Sequence, residues 1–125
     1  MDKATKLTLD ELIRRKEQIL ADKRRAETAE VYVKSLNGSV IIKAPSNDFM
    51  GDIADMAKED VNKNVVYECV ISPRLKDTGL HDAYGCVEPT EIVDKLFLAG
   101  EIAIIAQKCL DLAGFDEERV QTVKN

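Results

Sequence analysis

Hydrophobic and polar positions change rhythm several times along this chain, and each change marks an element. Leu9, Leu12, Ile13, Ile19 and Leu20 recur at helical spacing inside a heavily charged run. Thr8 and Glu11 have the spacing of a capping box, and Leu7 with Leu12 that of a hydrophobic staple. A helix to about Ala26 is expected. Its apolar stripe is narrow and buries little area, so the helix should lie across the edge of the domain or project from it. The rhythm then becomes a period of two in "EVYVKSLNGSVIIKA". Asn37–Gly38 predicts a two-residue type I′ turn, because both positions tolerate positive φ. That turn pairs Leu36 with Ser39, Ser35 with Val40, Val33 with Ile42 and Val31 with Ala44. Val31, Val33, Val40, Ile42 and Ala44 form the core face. Tyr32, Lys34, Leu36, Ile41 and Lys43 form the other.

Helical spacing returns after Pro45. A helix starting at Ser46 or Asn47 gathers Phe49, Met50, Ile53, Met56 and Ala57 on one side, with Asp48, Asp52 and Asp55 opposite. Val61, Val65, Val66, Cys69, Val70 and Ile71 predict a further helix that stops at Ser72–Pro73. Its β-branched residues keep a buried strand as the alternative. A short helix spans Thr78–Tyr84 and closes at Gly85. Pro89 suits the first turn of the next helix, whose stripe is Ile92, Val93, Leu96 and Phe97. A last helix begins near Glu101 and ends at Gly114. Its polar residues Glu101, Gln107, Lys108 and Asp111 occupy an arc of about 120°, leaving roughly 240° apolar. So wide an apolar arc predicts either the central helix of a bundle or a face shared with another chain. The fold class is therefore α+β and mostly helical: an N-terminal helix, one β-hairpin, then a bundle of four to five helices. One domain is expected, with the helix in 1–28, the hairpin in 29–45, the bundle in 46–115 and a polar tail in 116–125.

Composition narrows the function classes. The formal charge of -5 and pI near 4.9 argue against nucleic acid as the partner. Residues 1–25 nevertheless hold eight Lys/Arg against five Asp/Glu, a local excess that fits a solvated helix face or a basic docking arm. Cys69, Cys86 and Cys109 are odd in number and lack a CxxC spacing, as expected of reduced thiols in a cytoplasm. The N-terminus has no apolar run typical of a signal peptide. Leu96–Phe115 carries too many polar groups to span a bilayer, so no membrane is expected.

Catalytic chemistry is poorly represented. His81 is the only histidine and lies in a short amphipathic helix, where a partly exposed, non-catalytic role is expected. No phosphate-binding glycine motif occurs, and the three aspartates of 48–55 lack the spacing of a calcium loop. Glu88 and Glu91 suit the positive end of a helix without further explanation. No catalytic residue, metal or cofactor is expected. What remains for function is apolar surface.

"YGCVEPTEIVDKLFLAGEI" resembles the XkdN-like family of phage tail assembly chaperones, found in tailed phages and prophages of Gram-positive bacteria. The matching features are an aromatic residue, a short link to "EP", then "IVDKLF", then "GEI" opening an apolar helix. "LTLDELIRRK", "VYVKSLNGSVIIK" and the ending "VKN" agree with it. The resemblance implies a protein without catalysis in the host bacterial cytoplasm, absent from the mature virion. It implies binding to tape measure protein, with tail-tube protein a further partner, and help in assembling the tail tube around it. A homo-oligomer is compatible with it. The alternative is a structural tail component, such as a completion or terminator protein that forms a ring. Two sets of residues are candidates for partner binding: Ile92, Leu96, Phe97 and Ile105 as an apolar groove, and Leu9, Leu12, Ile13 and Ile19 as a lid or second site.

Overall fold

A computed structural model of the chain describes residues 6–24, 27–115 and 117–123. The chain divides into two compact units, Met1–Ala26 with Glu117–Asn125, and Glu27–Asp116. In the first, α1 (Leu9–Arg14) starts where the Thr8 hydroxyl accepts the Glu11 N–H at 3.1 Å. The helix is interrupted at Arg15 and resumes as α2 (Lys16–Arg24). A 2.9 Å bond from the Ile19 N–H to the Arg15 carbonyl carries it across the break. The expected end near Ala26 lies outside the described residues.

The second unit opens with the hairpin, β1 (Thr28–Val33) and β2 (Gly38–Lys43). Its register differs from the expected one: Val33 faces Gly38, Val31 faces Val40 and Ala29 faces Ile42. The reason lies in the turn. Asn37 takes the left-handed conformation (φ 49°), but Gly38 does not and serves as the first residue of β2. A type I′ turn needs both. Lys34–Leu36 instead form a 3-10 turn closed by the Asn37 N–H on the Lys34 carbonyl, and the Tyr32 hydroxyl donates to Asn37 Oδ1 at 2.7 Å. The change of register is an even number of residues, so each side chain keeps its face. Val33, Val40 and Ile42 are buried, while Tyr32, Leu36 and Ile41 are exposed.

Five helices follow among the described residues. Ser46 caps α3 (Asn47–Ala54) by accepting the Phe49 N–H, and Ile53 turns inward while Asp48, Asp52 and Asp55 stay wet. In α4 (Lys58–Cys69) the helix ends earlier than expected. Val70–Ser72 form a third strand, β3, which pairs antiparallel with β2 and gives the order β1-β2-β3. The β-branched Val70 and Ile71 are poor helix formers, and here they fill the open side of β2. Asp77 caps α5 (Thr78–Ala83), and Gly85 follows it at φ 65°. α6 (Glu91–Leu96) and α7 (Ala99–Leu112) complete the unit, with Gly114 at φ 92° ending α7.

The core lies between the inner face of the sheet and the helices. Val65, Val66 and Cys69 of α4 are fully buried where that helix meets α6, α7 and β3. Ile92 and Val93 cover it from α6, and Ile105, Ala106 and Cys109 from α7. Lys63 Nζ lies 3.1 Å from Asp94 Oδ2, a bond between α4 and α6 that holds the ammonium above its ordinary pKa. The wide apolar arc of α7 is accounted for in part: Ile105, Ala106 and Cys109 are core, whereas Ala103 and Ile104 face outward. Ile92→Ala, which empties a fully buried site, is expected to cost about 3 kcal/mol in urea unfolding, and Ile104→Ala less than about 1 kcal/mol.

Candidate partner-binding surfaces

The two predicted sets have opposite fates and fall in different units. Ile92, Phe97 and Ile105 are buried in the core of their own chain and Leu96 is half-buried. They do not form the apolar groove expected of them. Packing of α6 and α7 against α4 and the sheet covers these side chains, and the Lys63–Asp94 bond joins α4 to α6 at the surface. Leu9 and Ile13, in contrast, are 80% and 73% exposed, with Leu7, Leu12 and Leu20 also exposed and Ile19 half-buried. At 100° per residue Leu9, Leu12, Ile13, Ile19 and Leu20 share an arc of about 120°. Lys16 and Lys23 fall inside that same arc, so the stripe is apolar and basic together.

A second surface was not anticipated. Beside β1, an open hollow of about 210 Å³ runs along the N-terminal half of α7. Val31, Val33, Ile104 and Ile105 line it, and Lys34 and Lys108 stand at its rim. Glu101 also borders it, but its carboxylate is engaged. It accepts the Leu98 N–H at 2.9 Å, which caps α7, and the Ser35 hydroxyl at 2.8 Å from the hairpin loop. The Leu98 N–H first, then Ser35, hold the Glu101 carboxyl below its ordinary range. The surplus apolar arc of α7 was the sequence signal for this surface. Its other wall was not legible, because β3 decides which hairpin strand stays open: it pairs with β2 and leaves β1 at the edge.

The remaining reactive groups are structural. His81 is 8% exposed rather than partly exposed, with Nε2 donating to the Leu75 carbonyl at 2.6 Å. A carbonyl can only accept, so that nitrogen carries the hydrogen. The ring lies 6.2 Å from that of Tyr67 and braces the turn between β3 and α5. Cys69 and Cys109 are buried and Cys86 is half-buried. The hydrogen bond with Cys69, followed by burial, pushes the Cys109 thiol up, so it stays protonated. Among the described residues no three His, Cys, Asp or Glu side chains are grouped to hold a metal. No described helix is long and apolar enough to cross a membrane.

Residues 42–125 match the family model described as phage XkdN-like tail assembly chaperone protein. The chain belongs to this family. The match enters at Ile42 in β2 and takes in β3 and α3 to α7, so the helical body of this tail assembly chaperone family member lies within it. α1, α2 and β1 precede it. No curated protein matches the chain. Among solved structures, the crystal structure of the protein YqbN is similar, with 24% identity, a TM-score of 0.59, and coverage of 73% of this chain and 87% of that one. That likeness supports the fold of the chaperone family member alone.

With a thiol reagent under native conditions, Cys86 is expected to react first, and Cys69 and Cys109 only at the rate of unfolding. Mass spectrometry of the labelled peptides checks this order. The depressed Glu101 pKa predicts a pH signature for Glu101→Gln. Wild type should be the more stable above the ordinary carboxylate value of about 4.3, with the gap closing as pH falls through the lower folded value. Paired urea titrations across acidic pH read that convergence.

Proposed function

We propose that this chain is a non-catalytic tail assembly chaperone that binds a tape measure protein and assists assembly of the tail tube around it. In this reading it acts in the host cytoplasm and is not retained in the mature particle. Family membership supports the chaperone class. The observation that carries the client reading is the exposed stripe of α1 and α2. Leu9, Leu12, Ile13 and Leu20 leave a row of large aliphatic side chains in water, a feature that marks interaction surfaces when it is contiguous.

The stripe suits helix-on-helix capture, in which side chains at i, i+3 and i+4 enter an apolar groove or seam. Lys16 and Lys23 within it favour a client helix whose apolar side is bordered by carboxylates. Long, helix-rich tape measure proteins with apolar stretches are clients of that kind. A structural ring protein is distinguishable, since it would form a high-order oligomer on its own.

Co-expression tests the proposal. A candidate tape measure protein co-expressed with this chain should become soluble and co-purify with it. Leu9→Asp combined with Ile13→Asp should reduce the recovered complex about tenfold, while the unfolding midpoint stays near wild type because both residues are exposed. Complex recovery that ignores this double variant sinks the role of the stripe. Failure of the wild-type chain to change tape measure solubility sinks the chaperone reading itself.

A further inference from the structure

We propose that the groove between β1 and α7 is a strand-addition site, which takes an extended partner segment, apolar at its centre and acidic on both sides, as a fourth strand beside β1. This goes beyond the client reading above and does not depend on it, since it concerns a different unit of the chain and a different binding mode.

The strand order β1-β2-β3 leaves β1 with one unpaired side. Its hydrogen-bonding phase follows from one contact: the Ala44 N–H donates to the Glu27 carbonyl at 3.0 Å. Bonded and non-bonded pairs alternate along an antiparallel ladder. Glu27, Ala29, Val31 and Val33 therefore turn their backbone groups to β2, and Thr28, Glu30 and Tyr32 turn theirs outward. Among the described residues nothing occupies these three outward N–H and C=O pairs. Such an edge is a template for another strand.

Side chains of an added strand alternate between two faces. Those on the inner face would lie over the hollow of about 210 Å³ floored by Val31, Val33, Ile104 and Ile105. That space accommodates a large apolar side chain, and Ile104, 58% exposed, gains cover from it. The neighbouring inner positions, two residues to either side, approach Lys34 and Lys108. Neither lysine has an ion-pair partner among the described residues, and the nearby Glu101 carboxylate is already held by Leu98 and Ser35. The rim is thus a local cationic pair on an otherwise acidic protein, which selects carboxylates flanking the apolar anchor. A second copy of this chain fits less well. It would bring the same lysines to the rim, and the centred antiparallel register sets Glu30 against Glu30, where like charges repel.

The test uses the full chain, isotope-labelled, and capped heptapeptides titrated to millimolar concentration. The probe is Thr-Glu-Thr-Leu-Thr-Glu-Thr, and its twin carries Lys in place of both Glu residues. Two further copies are N-methylated on alternate sets of amides. The acidic peptide should shift the amide resonances of Thr28, Glu30 and Tyr32 and the methyl resonances of Ile104. The lysine twin and the Ile104→Glu variant should each weaken binding about tenfold, with the variant's unfolding midpoint near wild type. One N-methylated copy should lose binding and the other keep it, because a strand uses every second amide on one side. Absence of shifts, shifts on another surface, equal binding of the lysine twin, or equal behaviour of the two methylated copies overturns the proposal. So does a concentration-dependent dimer in sedimentation that Ile104→Glu abolishes, which would assign the groove to a second copy.

Discussion

Burial of α4 is the contact on which the rest of this fold depends. Val65, Val66 and Cys69 lie on one face of that helix and are fully enclosed. Three elements of the second unit reach that face or are continuous with it: α6 and α7 pack on it, and β3 leaves its end to join the sheet. In a protein with few aromatic residues, the enclosed volume is filled mainly by aliphatic side chains and two thiols, with Phe97 as the one aromatic side chain of the buried cluster. Close packing of small branched groups leaves little tolerance for a shift of any one helix. The burial of Ile92, Phe97 and Ile105 is a consequence, since they are the surfaces that close over α4.

Legibility in the sequence followed the reach of each signal. Local signals read well. Ser46 caps a helix, Gly85 and Gly114 end theirs, and the two faces of the hairpin sort as alternation requires. The α+β, mostly helical class with five helices after the hairpin is the class expected. Non-local signals read poorly. The hairpin register turned on whether Gly38 belongs to the turn or to the strand, and the neighbouring sequence fits both. The end of α4 turned on whether Val70 and Ile71 had an open strand to pair with, which is a tertiary fact. The same limit governed the surfaces. An apolar stripe looks alike in sequence whether another element covers it or not, so Ile92 and Leu9 were both candidates for partner binding although only Leu9 is exposed.

The two exposed surfaces differ in kind. The stripe on α1 and α2 offers side chains only, because a helix satisfies its own backbone. The β1–α7 groove offers backbone groups together with a shaped apolar floor. The first suits a broad class of amphipathic helices, and the second is specific for conformation, since only an extended segment can use a strand edge. The part of the chain matched to the chaperone family begins at Ile42 and includes α7 but not β1, so one wall of the groove lies inside that match and the other outside.

One side chain ties the two walls together. Glu101 stops the free amide at the start of α7 and grips Ser35 at the tip of the hairpin in the same gesture. Hairpin tip and helix start are thereby joined through a single carboxylate. At the Lys34 end of the opening the two walls are therefore bridged by one side chain, which belongs to the helix and reaches the hairpin.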